Sequence, residues 1–261
     1  MNTLPPVPER DPTRRFSSRV DNYVRYRPGY PKELLSLLKS DCGLTSHSLI
    51  ADLGSGTGKL AELFLANGNP VFGVEPNREM REAGERLLKS FGNFTSVDAT
   101  AEATTLHDAC ADFITVGQAF HWFDRKSCRT EFTRILKPAG WTVLVWNDRQ
   151  TLTSRFLVEY ENLLKQYATD YAKVDHKNID DEVVREFFGY APTKKLLPSS
   201  QEFDYDGLKG RLLSSSYAPE KGQPHHSEMI CDLEKLFREH QQSGRVQFIY
   251  DTVVYYGKLH S

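Results

Sequence analysis

The chain has 261 residues, 39% apolar and 26% charged, ordinary proportions for one α/β domain with an insertion or small second domain and a full buried core. Its 33 Lys and Arg against 35 Asp and Glu leave a formal net charge of -2, without the basic excess of a nucleic-acid binder, so DNA and RNA are disfavoured as partners. No apolar run approaches the roughly 20 residues of a membrane span, Met1 to Pro8 lack an apolar signal core, and Cys42, Cys110, Cys128 and Cys231 are scattered. These features point to a cytoplasmic protein with reduced packing thiols, no metal site and no membrane partner.

In chain order, residues 1–15 are rich in Pro and charge and read as a mobile start. Phe16 to Pro31 interleaves aromatics with arginines and carries a Pro28-Gly29 turn. Leu34, Leu35, Leu37 and Leu38 give a helical stripe. Leu49 to Leu53 is an apolar run ending at Gly54, a strand feeding a turn, and Leu60, Leu63 and Phe64 repeat at helical spacing after it. Val71 to Glu75 is a second buried strand, followed by a helix from Pro76 to near Phe91; Phe94 to Asp98 and Asp112 to Gly117 are the third and fourth strands. A helix near 125–136 ends in Lys137-Pro138-Ala139-Gly140, and Trp141 to Trp146 is the fifth strand. Apolar strands alternating with helices imply a parallel sheet covered on both faces, with ligands at the strands' carboxyl ends.

The rhythm then breaks. Phe156 to Tyr167 suggests a long helix and Val183 to Phe188 a second, so 151–190 reads as a helical lid insertion. Gln201 to Tyr205 reads as a strand, Gly207 to Ser216 and Glu228 to Gln242 as helices, and Val246 to Tyr256 as the closing strand. Arg125, Arg149, Lys194 and Arg211 read as surface charges, with carboxylate pairing as the alternative. Many Tyr and Phe in 151–190 and 213–226 hint at a planar or apolar ligand.

The richest stretch is Asp52-Leu53-Gly54-Ser55-Gly56-Thr57-Gly58. A dinucleotide loop wants its third glycine three positions after the second, and a phosphate loop wants Gly-Lys-Ser/Thr. Here Gly58 comes two after Gly56, and Gly58-Lys59 is followed by Leu60, so neither pattern is met. Glu75, ending the next strand, can accept hydrogen bonds from two ribose hydroxyls. Met80, one turn into the following helix, can pack on a purine, and Asp98-Ala99 can address its edge.

These three motifs in order, then Asp112 to Phe123 and Arg134 to Trp141, resemble the successive motifs of class I S-adenosylmethionine (SAM) methyltransferases over roughly residues 49–146. The opening Phe16 to Pro31 and His121-Trp122-Phe123 resemble the small-molecule branch that includes trans-aconitate-type enzymes. The resemblance implies an α/β Rossmann-like seven-stranded, mostly parallel sheet with helices on both faces and the last strand antiparallel. It implies residues 1–30 as a flexible N-terminal cover and 31–261 as the methyltransferase domain, with SAM as cofactor and S-adenosylhomocysteine (SAH) as product.

The roles it implies are specific. Gly54, Ser55, Gly56, Thr57 and Gly58 would pass along the methionine and ribose, and Asp52 would hold the methionyl ammonium. Glu75 and Pro76 would frame the ribose; Met80, Asp98 and Ala99 would address adenine. Gln118 and Ala119 would line the methionyl end. Tyr23 and Arg27 would cover the cofactor, with the Arg27 fork on the methionyl carboxylate. His121 is the candidate general base, with a positional role as the alternative. The implied acceptor is a small molecule with an oxygen, carboxylate or carbon nucleophile. The implied reaction rests on alignment and water exclusion. A non-catalytic SAM-binding protein and an NAD-dependent oxidoreductase remain alternatives. A macromolecular amine target is disfavoured, because Gln118-Ala119-Phe120-His121 stands where such enzymes carry Asn or Asp-Pro-Pro-aromatic.

Overall fold

Seven strands form one sheet in the order β3-β2-β1-β4-β5-β7-β6. They are β1 Ile50–Leu53, β2 Val71–Val74, β3 Phe94–Val97, β4 Ala111–Gly117, β5 Leu136–Arg149, β6 Thr193–Phe203 and β7 Val246–Gly257. The computed structural model describes residues 19–168 and 180–259; expectations for 1–18 and for 169–179 of the helical insertion lie outside the described residues. β1 pairs in parallel with β2 and β4, β2 with β3, and β4 with β5. β7 runs antiparallel to both neighbours, β5 and β6, as expected for the last strand. All four residues of β1 are buried, as a central parallel strand covered on both faces requires.

The helices are α1 Val20–Tyr26, α2 Glu33–Cys42, α3 Lys59–Ala66, α4 Arg78–Leu87, α5 Arg125–Ile135, α6 Arg155–Tyr167, α7 Asp181–Phe188, α8 Tyr205–Leu213 and α9 His226–His240. On one sheet face Leu34 and Leu38 of α2 and Leu60 and Phe64 of α3 pack on Ile50, Val143 and Val145. On the other, Phe132 and Ile135 of α5 and Phe187 and Phe188 of α7 pack on Ile114, Leu144 and Trp146. A third apolar cluster joins α6, α8 and α9 to Phe203, Phe248 and Tyr250 on β6 and β7, and forms a helical cap.

Most starts follow local chemistry. Asn77 accepts from the Met80 N–H, Asp124 from Ser127, Ser154 from Leu157 and Asp204 from Gly207, each cap worth about 1 kcal/mol. Three elements differ from the sequence reading. β5 begins at Leu136, and the expected turn at 137–140 lies within it, at a register shift opposite Ala111 and Phe113. β6 begins at Thr193, well before Gln201; it is an edge strand whose outward face leaves Leu196 57% exposed, so no apolar alternation marked it. The 151–190 segment divides: α6 joins the cap, while Val184, Phe187 and Phe188 draw α7 onto the sheet. The cap owes as much to α8 and α9 as to that segment. Among the described residues no helix is long and apolar enough to cross a membrane.

Candidate active site

The chain leaves β1 through Gly54, Gly56 and Gly58, with φ of 65°, 57° and 80°, left-handed values that L side chains rarely adopt. At Gly54 a Cβ would stand 2.7 Å from Ala119 Cβ and 3.1 Å from the Phe123 ring. The glycine therefore lets the loop lie against the turn that follows β4. Gly58 starts α3 against Leu88 and does not line the cleft itself.

Two buried carboxylates flank this loop at adjacent strand ends. Glu75 follows β2; its Oε2 accepts the Gly56 N–H at 2.8 Å and its Oε1 the Asn77 N–H at 2.8 Å. Burial raises the Glu75 pKa, opposed by those two bonds. Asp52, 1% exposed in β1, accepts the Thr115 hydroxyl at 2.8 Å on Oδ1, while its Oδ2 is buried without a partner. Burial pushes the Asp52 carboxyl up to about 7, against the Thr115 bond, which favours the charged form. A buried carboxylate oxygen with nothing to accept from is a place for a donor, best a cationic one.

Two adjoining pockets with shared walls form a cleft at the carboxyl ends of the strands. One half holds Glu75, Pro76, Asn77, Met80 and Ala119; the other holds Asp52, Ser55, Thr57, Lys59 and His121. Tyr23, Gly54, Gly56, Gln118 and Trp122 line both halves. Gln118 sits at φ 58°, a strained value for a side-chain-bearing residue. Its N–H bonds to Val145 O at 2.9 Å and its Nε2 to Asn147 O at 3.2 Å. His121 lies in the short Phe120–Trp122 turn with its ring centroid 4.7 Å from that of Trp122.

Asp98 and Ala99, expected at the purine edge, directly follow β3 and are not among the residues lining the cleft. β3 ends at Val97, and the Asp98 side chain, 69% exposed, turns to the Arg81 guanidinium at 2.7 Å. Ala99 packs against the sheet core. Thr100, Ala101 and Glu102 line the cleft instead, in a tight turn closed by a Thr100–Ala103 bridge. The same Arg81 donates from Nη1 to Glu75 O at 2.9 Å.

The segment before α2 covers the cleft. The Tyr26 ring lies on Gly210 of α8, where a Cβ would come within 2.0 Å of it. Lys59 Nζ donates to Val24 O at 2.8 Å. Arg27 lines the cleft, but its Nε and Nη2 bond to Ser214 and Ser215 of the cap at 3.1–3.3 Å. That leaves Nη1 for a ligand, narrower than the full fork expected. Sequence reasoning missed Tyr30, Trp122, Asn147 and Tyr217, which line the cleft, and misjudged Arg211, which is 7% exposed and lines it too. A lone Arg in a helix carries no local signal of burial. Arg149 is half-buried and pairs with Glu161 at 2.6 Å. Of the other two cations, Arg125 is exposed, and Lys194 pairs with Asp181 at 2.7 Å.

Residues 51–144 match a family model described as a methyltransferase domain. An uncharacterised methyltransferase of Schizosaccharomyces pombe is 26% identical over 249 residues, covering 93% of this chain and 96% of that protein. One from Mycobacterium tuberculosis is 36% identical over 140 residues, 54% of this chain and 55% of that one, so that match spans about half of each. Among solved structures, a candidate type II methyltransferase from Anaeromyxobacter dehalogenans superposes with TM-score 0.68 at 16% identity, over 90% of this chain and 98% of that one. The geranyl diphosphate C-methyltransferase of Streptomyces coelicolor gives 0.51 at 14% identity, over 98% and 100%. At those identities the two structures show the fold.

Proposed function

We propose, from the methyltransferase-domain match over residues 51–144 and the site geometry, that the chain is a class I SAM-dependent methyltransferase and that it methylates an oxygen, carboxylate or carbon nucleophile of a small molecule. The observation that carries the reading is the pair of buried carboxylates, Asp52 and Glu75, facing one cleft across a glycine loop. That arrangement suits a ligand with a cationic amine at one end and a diol at the other.

The bound cofactor supplies a methyl group activated by the sulfonium: the S–CH3 bond breaks, its electron pair stays on sulfur to give SAH, and the acceptor's nucleophile gains the methyl. The chain's own residues align and enclose. Asp52 Oδ2 would hold the methionyl ammonium and Glu75 the ribose hydroxyls, while Met80 and the Asp98 to Glu102 stretch would hold the purine. Arg27 Nη1 takes the methionyl carboxylate, and Gln118 and Ala119 line the methionyl end. α1 and the cap exclude water; holding donor and acceptor in line can contribute up to ~7–11 kcal/mol. His121 orients the acceptor through its packing on Trp122. Support for a small acceptor comes from the covered cleft, the net charge of -2 and the Gln118-Ala119-Phe120-His121 sequence.

Calorimetric titration with SAM, SAH and NAD tests the reading. Both sulfur ligands should bind saturably, NAD should not, and Glu75→Ala should weaken both about 10–100-fold, the loss of charge-assisted hydrogen bonds. Binding of NAD alone, or of none of the three, overturns it. With an acceptor in hand, His121→Gln should slow turnover less than about tenfold. A loss of ~10²–10⁴ would make His121 the general base instead.

A further inference from the structure

We propose that the acceptor is a carboxylic acid and that Arg211 of α8 holds its carboxylate, an inference that rests on the methyltransferase reading above. Arg211 is 7% exposed and lines the cleft, its Nη1 donates to Ser215 Oγ at 3.3 Å, and its Nε is buried without a partner. A second guanidinium, the half-buried Arg27, stands beside it, for both donate to Ser215 Oγ at 3.3 Å. Among the described residues neither has an ion-pair partner: Arg27 bonds to the Ser214 and Ser215 hydroxyls and the Ser214 carbonyl, and Arg211 to the Ser215 hydroxyl and to Tyr250. Asp52, the buried carboxylate on the same cleft, bonds to Thr115 instead.

Burying a cation without a counter-ion is costly, and two neighbouring cations compound the cost. The fold supplies a partner where one is wanted, for Arg149 on the same wall pairs with Glu161 at 2.6 Å. The Arg27–Arg211 pair is instead open to anions arriving with ligands. The cofactor brings one carboxylate. Arg27 caps α1 beside Tyr23, which lines both halves of the cleft, and beside Lys59 at the start of α3. That places it on the cofactor's side. Arg211 lies in the cap among Tyr160, Tyr217 and Tyr250, so it faces the acceptor. A planar guanidinium with a free edge suits a carboxylate better than a neutral amide or alcohol. Trp122 and Tyr217 on the same cleft suit a flat body.

The test uses the SAH-loaded protein and two acids, benzoate and succinate, each beside its neutral amide. At least one acid should bind, about tenfold or more tighter than its amide, and Arg211→Gln should weaken that acid about tenfold or more. SAH affinity should change less than about threefold, which also reports that the variant is folded. If Arg211→Gln does not fold, Arg211→Lys keeps the charge but loses the fork, and should weaken the acid about threefold or more. Neither acid binding, amide binding as tightly as acid, or acid binding indifferent to the substitution overturns the proposal. So does SAH affinity that falls tenfold with Arg211→Gln, which would assign Arg211 to the cofactor's carboxylate. In all of these SAH still binds wild type; failure of SAH itself would remove the underlying reading instead.

Discussion

Replacing Asp52 with Asn is expected to weaken SAM and SAH about 10–100-fold while making the ligand-free protein more stable at pH 8. The affinity loss follows from removing the charged acceptor for the methionyl ammonium, a charge-assisted bond worth about 1.5–3 kcal/mol. The stability gain follows from burial. The folded-state carboxyl, pushed up to about 7 from 3.8, holds a proton that the unfolded chain gives up. Its contribution is therefore fully present below the unfolded value and is lost as pH rises through about 7; above that, ionised Asp52 costs on the order of 4 kcal/mol. Asn carries no charge to bury, so the melting temperature at pH 8 should rise by several degrees.

The same group sets a pH profile for binding. Wild-type affinity should rise with pH up to about 7, as the carboxylate ionises, and fall again near 8 as the free ligand's amine loses its proton. The Asp52→Asn variant should keep the upper limb and lose the lower. Calorimetry across that range reads both limbs, and a lower limb that survives the substitution removes Asp52 from the ammonium site.

Gly210→Ala is expected to lower kcat/KM at least tenfold without unfolding the protein. Two effects compete. Within a helix Ala is favoured over Gly by about 1 kcal/mol, which would stabilise α8. The new Cβ, however, would come within 2.0 Å of the Tyr26 ring, a distance no rotation inside α8 relieves, so α1 must move. α1 carries Tyr23 and, at its C-cap, Arg27, both on the cleft. The cover should lift while the sheet stays intact. A melting temperature held or raised, together with weaker cofactor binding, is the expected pattern. Combining the change with Tyr26→Ala should restore part of the affinity by opening space for the Cβ. Unchanged turnover of an identified acceptor in Gly210→Ala would show that α1 does not have to close on the cleft.

The glycine loop and its carboxylates were legible because their signals are local. Asp52, Gly54, Gly56 and Glu75 sit at strand ends that their own apolar runs announce, and a strand–turn–helix unit brings them together over a short stretch of chain. β3 ends one residue before Asp98, whose exposed side chain pairs with Arg81, a contact the local sequence pattern does not record. The β6 strand was read short for a different reason. An edge strand with one partner need not alternate in polarity, and alternation was the signal sought.

The sequence by itself determined the α/β class, the order of strands and helices from residue 34 through 146 and the family that the cofactor loop resembles, because hydrophobic period and turn chemistry act between near neighbours. The tertiary structure alone decided which helices cap the cleft, that Tyr26 closes on Gly210, and that Arg27 and Arg211, 184 positions apart in the chain, share one buried cleft. Those contacts come from packing between distant segments. The burial of a charged side chain is set by what folds over it, and nothing in the residues beside it in sequence records that.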